Sequence, residues 1–135
     1  AELLKIPLWG LVATRYGLIG IDRAGGAKEL RALMKAARAV SAAGRPIVIF
    51  PEGTRVPAGE MPELRSGFAG LYKMLNIPVV PIAVDSLTFV DRNGMPKRKG
   101  VITYLVGETI PPGLPREEAE ARVHAAINAM NGSAA

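Results

Sequence analysis

Short runs of β-branched residues alternate with amphipathic helix patterns along this chain of 135 residues. The segment from Ala27 to Ala43 places apolar residues at helical spacing, Gly44 stops it, and the run RPIVIFPE follows. A second helix is predicted from Ser66 to Leu75, with Ser66 as its N-cap and Asn76 as its end, before the run IPVVPIAVD. Uninterrupted apolar runs of this kind are typical of parallel strands that are buried on both faces. The alternation therefore predicts an α/β fold, in which a sheet with parallel strands is flanked by helices.

The remaining segments extend the same pattern over the whole chain. LIGIDR at positions 18 to 23 predicts an earlier strand, VITYLVG at 101 to 107 a later strand, and REEAEARVHAAINAM a terminal helix with an acidic first turn. DRNGMPKRKG, before the last strand, contains an Asn-Gly turn pair but is too long for a tight hairpin. No repeat, linker or low-complexity segment interrupts the chain, so residues 1 to 135 are predicted to form a single domain.

Charge and composition restrict the classes of partner. The 17 Lys and Arg residues outnumber the 12 Asp and Glu residues, so the net charge is +5 and the surface favours anionic partners. The absence of cysteine excludes disulfides and thiolate metal sites. The longest uncharged apolar stretch near the start, IPLWGLVAT, is interrupted by Pro7 and is too short to span a bilayer. We therefore expect no transmembrane helix.

The residues FPEGTR, at positions 50 to 55, follow a predicted buried strand and carry the groups most suited to bind a charged ligand. Pro51 cannot donate a ladder hydrogen bond, so the strand is expected to end there, at the sheet edge where α/β proteins bind ligands. Gly53 permits a positive φ, and the Arg55 guanidinium can bind a phosphate through two hydrogen bonds. Glu52 could accept a hydrogen bond from a substrate hydroxyl or orient Arg55. The alternative is a tight turn with a Glu-Arg surface pair and no ligand.

Several blocks of the chain, FPEGTR above all, resemble the glycerophospholipid acyltransferases that act on 1-acylglycerol 3-phosphate. ELLKIPLWG is similar to the segment that enters the core of that family, and GLIGIDR to its second block. RSGFAGLYKMLNIPVVPIAVDS is similar to its helix and fourth block, and GETIPPGLPREEAEARVHAAI to its tail. The resemblance implies an acyltransferase-like sandwich, of which residues 1 to 135 are the C-terminal part.

The resemblance also implies which residues bind the acceptor substrate. Arg23, Glu52 and Arg55 would bind the glycerol phosphate headgroup, together with Gly53 and Thr54 of the same block, while Pro81 would shape the acceptor or acyl region. Two of these residues have structural alternatives. Arg23 could be a solvated residue at a strand end with Asp22 as its partner, and for Pro81 a structural role at a strand edge or bulge is favoured.

The resemblance implies no catalytic residue in this chain. In the family, a His followed five residues later by an Asp acts as the general base on the acceptor hydroxyl, and this pair is expected upstream of Ala1. The single histidine, His124, lies beside the apolar stripe of the terminal helix and is predicted to be a structural residue in a rim position. No cofactor and no metal site are expected, because acyl-CoA or acyl carrier protein would enter as a co-substrate and thioester acyl transfer requires no metal.

Two functions from different classes fit these features. The first is the substrate-binding part of a membrane-associated enzyme that transfers a fatty acyl group to a lysophospholipid such as lysophosphatidate. The alternative is a non-catalytic module that binds anionic lipid or phosphate. A nucleic-acid partner is disfavoured because the aromatic residues are scattered.

Location at an anionic membrane surface, on the cytoplasmic face, is expected from two segments. The basic cluster from Lys97 to Lys99, with Arg92 nearby, could dock on acidic lipid, although such a cluster is commonly a solvated loop. LLKIPLWGLVATRYG, with Trp9, could be an interfacial element or a core helix.

Overall fold

The computed structural model describes residues 8 to 20, 26 to 54, 56 and 57, 59 to 86 and 99 to 131. The chain forms two compact units, Ala1–Val48 and Ile49–Ala135. The elements in chain order are α1 (Trp9–Arg15), α2 (Gly26–Ala42), α3 (Ser66–Leu75), β1 (Ile82–Val84), β2 (Tyr104–Val106) and α4 (Arg116–Ile127).

The first unit contains α1 and α2, and it confirms the predicted amphipathic helix. Ala37, in the middle of the predicted apolar stripe of α2, is buried, whereas the basic side chains of this helix are exposed. Gly44 ends the helix as expected, with φ of +68° and its N–H donated to Ser41 O at 2.9 Å. In α1, Ala13 is buried but Trp9 is 53% exposed, so α1 buries only one narrow face.

The core of the second unit lies between α3 and α4. It is formed by Phe68 and Tyr72 of α3, Ile110, and Ala119 and Val123 of α4. The rings of Phe68 and Tyr72 stack with centroids 5.9 Å apart. The Tyr72 hydroxyl donates to Pro111 O at 2.6 Å and accepts the Leu114 N–H at 3.1 Å, so one side chain joins α3 to the segment that leads into α4.

The sheet of the second unit is a two-stranded antiparallel pair. Ala83 is opposite Leu105, and an isolated bridge pairs Val79 with Ile110. Two residues separate Val79 from β1, while three separate β2 from Ile110, so the second strand carries one extra residue in a β-bulge. The predicted strand runs at 77 to 85 and 101 to 107 are thus confirmed in their central parts.

Two details of the predicted elements differ from the structure. Residues 45 to 50 and 18 to 20 have no strand assignment, and within the described ranges the β-pairing is antiparallel, so the parallel sheet stays a prediction. Ser66 was expected to be the N-cap of α3, but it is the first helical residue, and Arg65 occupies the cap position without a side-chain cap hydrogen bond. Arg65 is extended, with φ of −71° and ψ of 142°, and its N–H donates to Pro51 O at 2.9 Å.

Candidate functional site

The residues from Phe50 to Gly53 form a tight turn at the start of the candidate site. The Gly53 N–H donates to Phe50 O at 3.0 Å, which closes the turn, and Gly53 has φ of +69°. Proline in the second position and glycine in the fourth are both favoured in turns of this length. The turn therefore follows from the sequence FPEG itself, and it fixes the direction in which Glu52 and Thr54 leave the main chain.

A longer loop begins at this turn and returns to it. Arg65 meets Pro51 through the hydrogen bond described above, so the two ends of the segment from Pro51 to Arg65 lie together. Compact surface loops of about 6 to 16 residues with adjacent ends are frequently functional. The FPEG turn thus lies at the point where the two ends of this segment meet.

Glu52 is the titratable group with a distinctive environment at this site. Its side chain is half-buried, and burial raises the pKa of the Glu52 carboxyl above its ordinary value of 4.5. The nearby His124 imidazole acts in the opposite direction and lowers the pKa of this carboxyl. A half-buried carboxyl with a shifted pKa beside an imidazole is a candidate for binding a polar substrate.

His124, on α4, reaches this loop, which the sequence did not predict. The residue is half-buried, as expected for a rim position. Its Nε2 lies 3.2 Å from Met61 O and 3.1 Å from Pro62 O. No sequence pattern indicates this proximity, because His124 and Pro62 are 62 positions apart and only the packing of α4 on α3 brings the two together.

The other predicted site residues are distributed as follows. Arg23 and Arg55 lie outside the described residues, and Thr54 is exposed. Pro81 is buried, and its carbonyl accepts the Gly107 N–H at 2.9 Å beside the β-bulge. Pro81 thus lies beside the β-bulge, and both its structural role and its role in shaping the acceptor region stay predictions.

In the ranges that the structure describes, no three His, Asp or Glu side chains form a group that could hold a metal ion. Among these same residues, no helix combines the length and the apolar content that crossing a bilayer requires.

Comparison with known proteins places these features in context. The family model described as Acyltransferase matches residues 1 to 85, which include the FPEGTR block and Pro81. Three similar curated proteins, from Pseudomonas aeruginosa, Limnanthes alba and Helicobacter pylori, are all named 1-acyl-sn-glycerol-3-phosphate acyltransferase. No solved structure gives a significant match.

The matches cover much of this chain but little of each relative. The Pseudomonas aeruginosa protein is 33% identical over 106 residues, which are 78% of this chain and 41% of that protein. The Limnanthes alba protein is 29% identical over 93 residues, 69% of this chain and 33% of that protein. The Helicobacter pylori protein is 46% identical over 59 residues, 44% of this chain and 24% of that protein. The chain therefore spans about two fifths or less of each of these relatives.

Proposed function

Because this chain belongs to the acyltransferase family, we propose that it supplies the acceptor-binding part of an enzyme that acylates lysophosphatidate. The fatty acyl group would come from acyl-CoA or acyl carrier protein. The observation that carries the proposal is the closed turn at Glu52 and Gly53, in the FPEGTR block that the family match includes. The names of three relatives, which specify 1-acyl-sn-glycerol 3-phosphate, support the choice of acceptor.

In this proposal, cationic side chains hold the acceptor phosphate. Arg55 follows the turn directly and Arg23 follows the earlier predicted strand, and a guanidinium can bind a phosphate through two parallel hydrogen bonds. Glu52 would repel the same phosphate if it were ionised. The shift of its pKa by burial acts against this repulsion, because it favours the neutral carboxyl. Glu52 is then suited to hydrogen-bond a glycerol hydroxyl beside the phosphate.

The reaction itself needs a base that takes the proton of the acceptor hydroxyl. The hydroxyl oxygen attacks the thioester carbonyl carbon, the carbon-sulfur bond breaks, and the proton lost by the hydroxyl ends on the departing thiol. No His in this chain is followed five residues later by Asp. His124 is poorly suited to serve as the base through Nε2, because this nitrogen faces two carbonyl oxygens and must carry a proton to bond to either. The base would therefore come from a His-Asp pair outside these residues.

We also propose that the enzyme works at an anionic membrane surface. Its acceptor is a lipid, and the net charge of +5 favours acidic headgroups. Exposed apolar side chains at one end of the chain, such as Trp9 and Leu11, could enter the headgroup region.

The experiment that tests the proposed function compares variants of the complete gene product that contains this chain. Acylation of lysophosphatidate is followed by thiol release and by diacyl product. Arg55→Lys should raise the acceptor KM about tenfold, because an ammonium cannot replace the two-bond contact of the guanidinium. Arg122→Lys, on the exposed face of α4, makes the same chemical change away from the loop and is the control.

The outcomes separate the enzyme from the alternative module. Acceptor-dependent product with a raised KM only in Arg55→Lys supports the enzyme. If the protein binds lysophosphatidate in the absence of lipid vesicles but forms no product with either acyl donor, the result would instead support a non-catalytic phosphate-binding module. Unchanged KM and kcat in Arg55→Lys would remove Arg55 from the site.

A further inference from the structure

Two side chains near the C-terminal end of the described residues form hydrogen bonds with the main chain of the loop that begins at the FPEG turn; we call them the gripping residues. The first is His124. Its Nε2 faces the carbonyl oxygens of Met61 and Pro62 at 3.2 and 3.1 Å. Carbonyl oxygens only accept hydrogen bonds, so Nε2 is the protonated nitrogen and His124 is the donor.

The second gripping side chain is Asn131, just beyond α4. Its Nδ2 donates to Glu60 O at 2.8 Å, and its Oδ1 accepts the Gly59 N–H at 3.2 Å. A side-chain amide that both donates to and accepts from neighbouring main-chain groups fixes the position and the direction of that segment. His124 and Asn131 together contact the main chain of four consecutive residues, 59 to 62.

Asn128 is buried and is hydrogen-bonded to both His124 and Asn131. It is 8% exposed, its Nδ2 donates to His124 O at 2.9 Å, and its Oδ1 accepts from Asn131 Nδ2 at 2.8 Å. A buried amide with both ends bonded has a defined rotamer, so it holds the C-terminal turn of α4 in one shape. The contacts to the loop therefore start from a rigid support.

We propose that His124 and Asn131 form a clamp that holds the loop from Pro51 to Arg65 in the shape that presents Glu52, Gly53 and Thr54 to the acceptor. The hydrogen bond between Arg65 and Pro51 ties the base of the loop, and the clamp ties its far part to α4. His124 and Asn131 are then positioning residues for acceptor binding. This inference rests on the proposed function, and both residues lie beyond residue 85, where the family match ends.

His124 also acts on Glu52 electrostatically. The His124 imidazole lowers the pKa of the Glu52 carboxyl, against the larger effect of burial, which raises it. A displaced imidazole would therefore alter both the shape of the loop and the charge of the group that faces the acceptor. The two effects are separable, because glutamine reproduces the N–H donor of histidine without its ability to become charged.

Three variants of the complete gene product test the clamp. His124→Ala removes the donor, whereas His124→Gln keeps an Nε2 donor at a similar distance along the side chain. Asn131→Ala removes both bonds of Asn131 to the loop, together with its bond to Asn128 Oδ1. Arg122→Gln is the matched control, because the Arg122 side chain is exposed on the same helix and pairs with Glu118.

Amide hydrogen exchange gives a readout that does not depend on catalysis. In His124→Ala and Asn131→Ala, exchange of the Gly59 and Glu60 amides, which donate to Asn131 Oδ1 and Pro57 O, should become about tenfold faster, the factor expected for roughly one lost hydrogen bond. Peptides from α3 should keep their protection. His124→Gln should restore slow exchange, and Arg122→Gln should not change it.

Kinetics then tests whether the clamp positions the acceptor site. In His124→Ala, the KM for lysophosphatidate should rise about tenfold, while the KM for the acyl donor stays unchanged and kcat falls by less than about threefold. His124→Gln should recover most of the acceptor affinity. A residue that merely stabilised the fold would lower the amount of active enzyme and leave both KM values unchanged.

The results that would overturn the clamp are distinct from failure of the proposed function. Unchanged exchange of the Gly59 and Glu60 amides in His124→Ala would overturn the clamp itself. Faster exchange with an unchanged acceptor KM would overturn its positioning role. If the wild-type protein acylates no lysophospholipid, the proposed function fails, and binding of glycerol 3-phosphate to the wild type, His124→Ala and His124→Gln replaces the kinetic readout. Equal binding by all three would then also overturn the positioning role.

Discussion

Gly53 faces the side-chain stem of Arg65: a Cβ at position 53 would lie 3.0 Å from Arg65 Cγ. Gly53 also has φ of +69°, in the left-handed region that side chains disfavour. Because Cγ is near the root of the side chain, the contact is relieved only by a change of the Arg65 rotamer or a shift of its main chain, and the main-chain N–H is bonded to Pro51 O. The turn and the end of the loop are therefore in direct contact, and glycine is required by conformation and by space.

Gly53→Ala should destabilise the protein and weaken acceptor binding. The positive φ alone should cost roughly 1 to 2 kcal/mol, and the contact with Arg65 should add about 1 kcal/mol. Gly44→Ala is the matched control, since Gly44 has nearly the same φ of +68° and no atom within 4 Å of an added Cβ. Urea unfolding should show a larger loss of stability in Gly53→Ala than in Gly44→Ala. The acceptor KM should change only in Gly53→Ala. Equal losses in both variants would show that the contact with Arg65 costs nothing.

Glu52→Gln should increase stability at neutral pH, because the amide cannot ionise in this half-buried position. The pKa of Glu52 is raised in the folded protein, so its stabilising contribution is complete below pH 4.5 and is lost as the pH rises through the folded-state pKa. The uncharged amide avoids this loss, which should give a gain of less than about 1 kcal/mol because the carboxyl is partly solvated. The gain should vanish below pH 4.5. Unfolding curves from pH 4 to pH 8 check the trend, with the exposed Glu108→Gln as control; a gain that does not depend on pH would contradict it.

Tyr72→Phe should destabilise the second unit by about 1 to 2 kcal/mol. The variant keeps the ring stacked on Phe68 but removes the hydroxyl, which leaves Pro111 O without its donor and the Leu114 N–H without its acceptor. Tyr104→Phe is the control, because Tyr104 is 66% exposed and should change stability by less than about 0.5 kcal/mol. Thermal unfolding distinguishes the two, and a Tyr72→Phe variant as stable as Tyr104→Phe would mean that water replaces both hydrogen bonds.

Two glycine substitutions should change stability in opposite directions. A Cβ at Gly107 would lie 3.1 Å from Pro81 Cγ and 3.3 Å from Ala126 Cβ, so Gly107→Ala should cost about 1 to 3 kcal/mol through crowding. At Gly67, within α3, an added Cβ meets nothing within 4 Å. Gly67→Ala should therefore stabilise by roughly 0.5 to 1 kcal/mol through helix propensity. If denaturant unfolding shows that both substitutions stabilise the protein or that both destabilise it, this account of the β-bulge is contradicted.

The 135-residue chain by itself should not acylate lysophosphatidate at an enzymatic rate. It lacks a His with an Asp five residues later, and loss of a positioned general base typically lowers the rate by a factor of about 10² to 10⁴. Folding should be checked by circular dichroism before thiol release and diacyl product are measured with the acceptor present and absent. Sustained, acceptor-dependent product that falls in Glu52→Ala would place the catalytic base within this chain.

The helices α2 and α3 were predictable because each carries its own apolar pattern and stop residue. α2 and α3 have apolar residues at helical spacing, and Gly44 and Asn76 end them with positive φ, as their types suggest. The strands were less predictable, since a β-branched run specifies an extended segment but not its partner. The run from 45 to 50 shows this limit, because it has the composition of a strand and no ladder among the residues described.

The candidate site also has one part that was predictable from the sequence and one part that was not. The turn at FPEG was predictable from Pro51 and Gly53, whose backbone preferences act locally. The contact of His124 with the loop was not, because it depends on how α4 packs and not on any neighbour of His124 in the sequence. Arg23 and Arg55 remain predictions, since both lie outside the described residues.

The hydrogen bond between Gly59 and Asn131 can form only late in synthesis of the chain. The two residues are 72 positions apart, so at about 5 to 20 residues per second a ribosome makes Asn131 roughly 4 to 14 s after Gly59. The bond between Arg65 and Pro51 needs no later residue, so the base of the loop can close soon after α3 begins. A nascent chain that is released before His124 therefore lacks the hydrogen bonds that His124 and Asn131 make to residues 59 to 62.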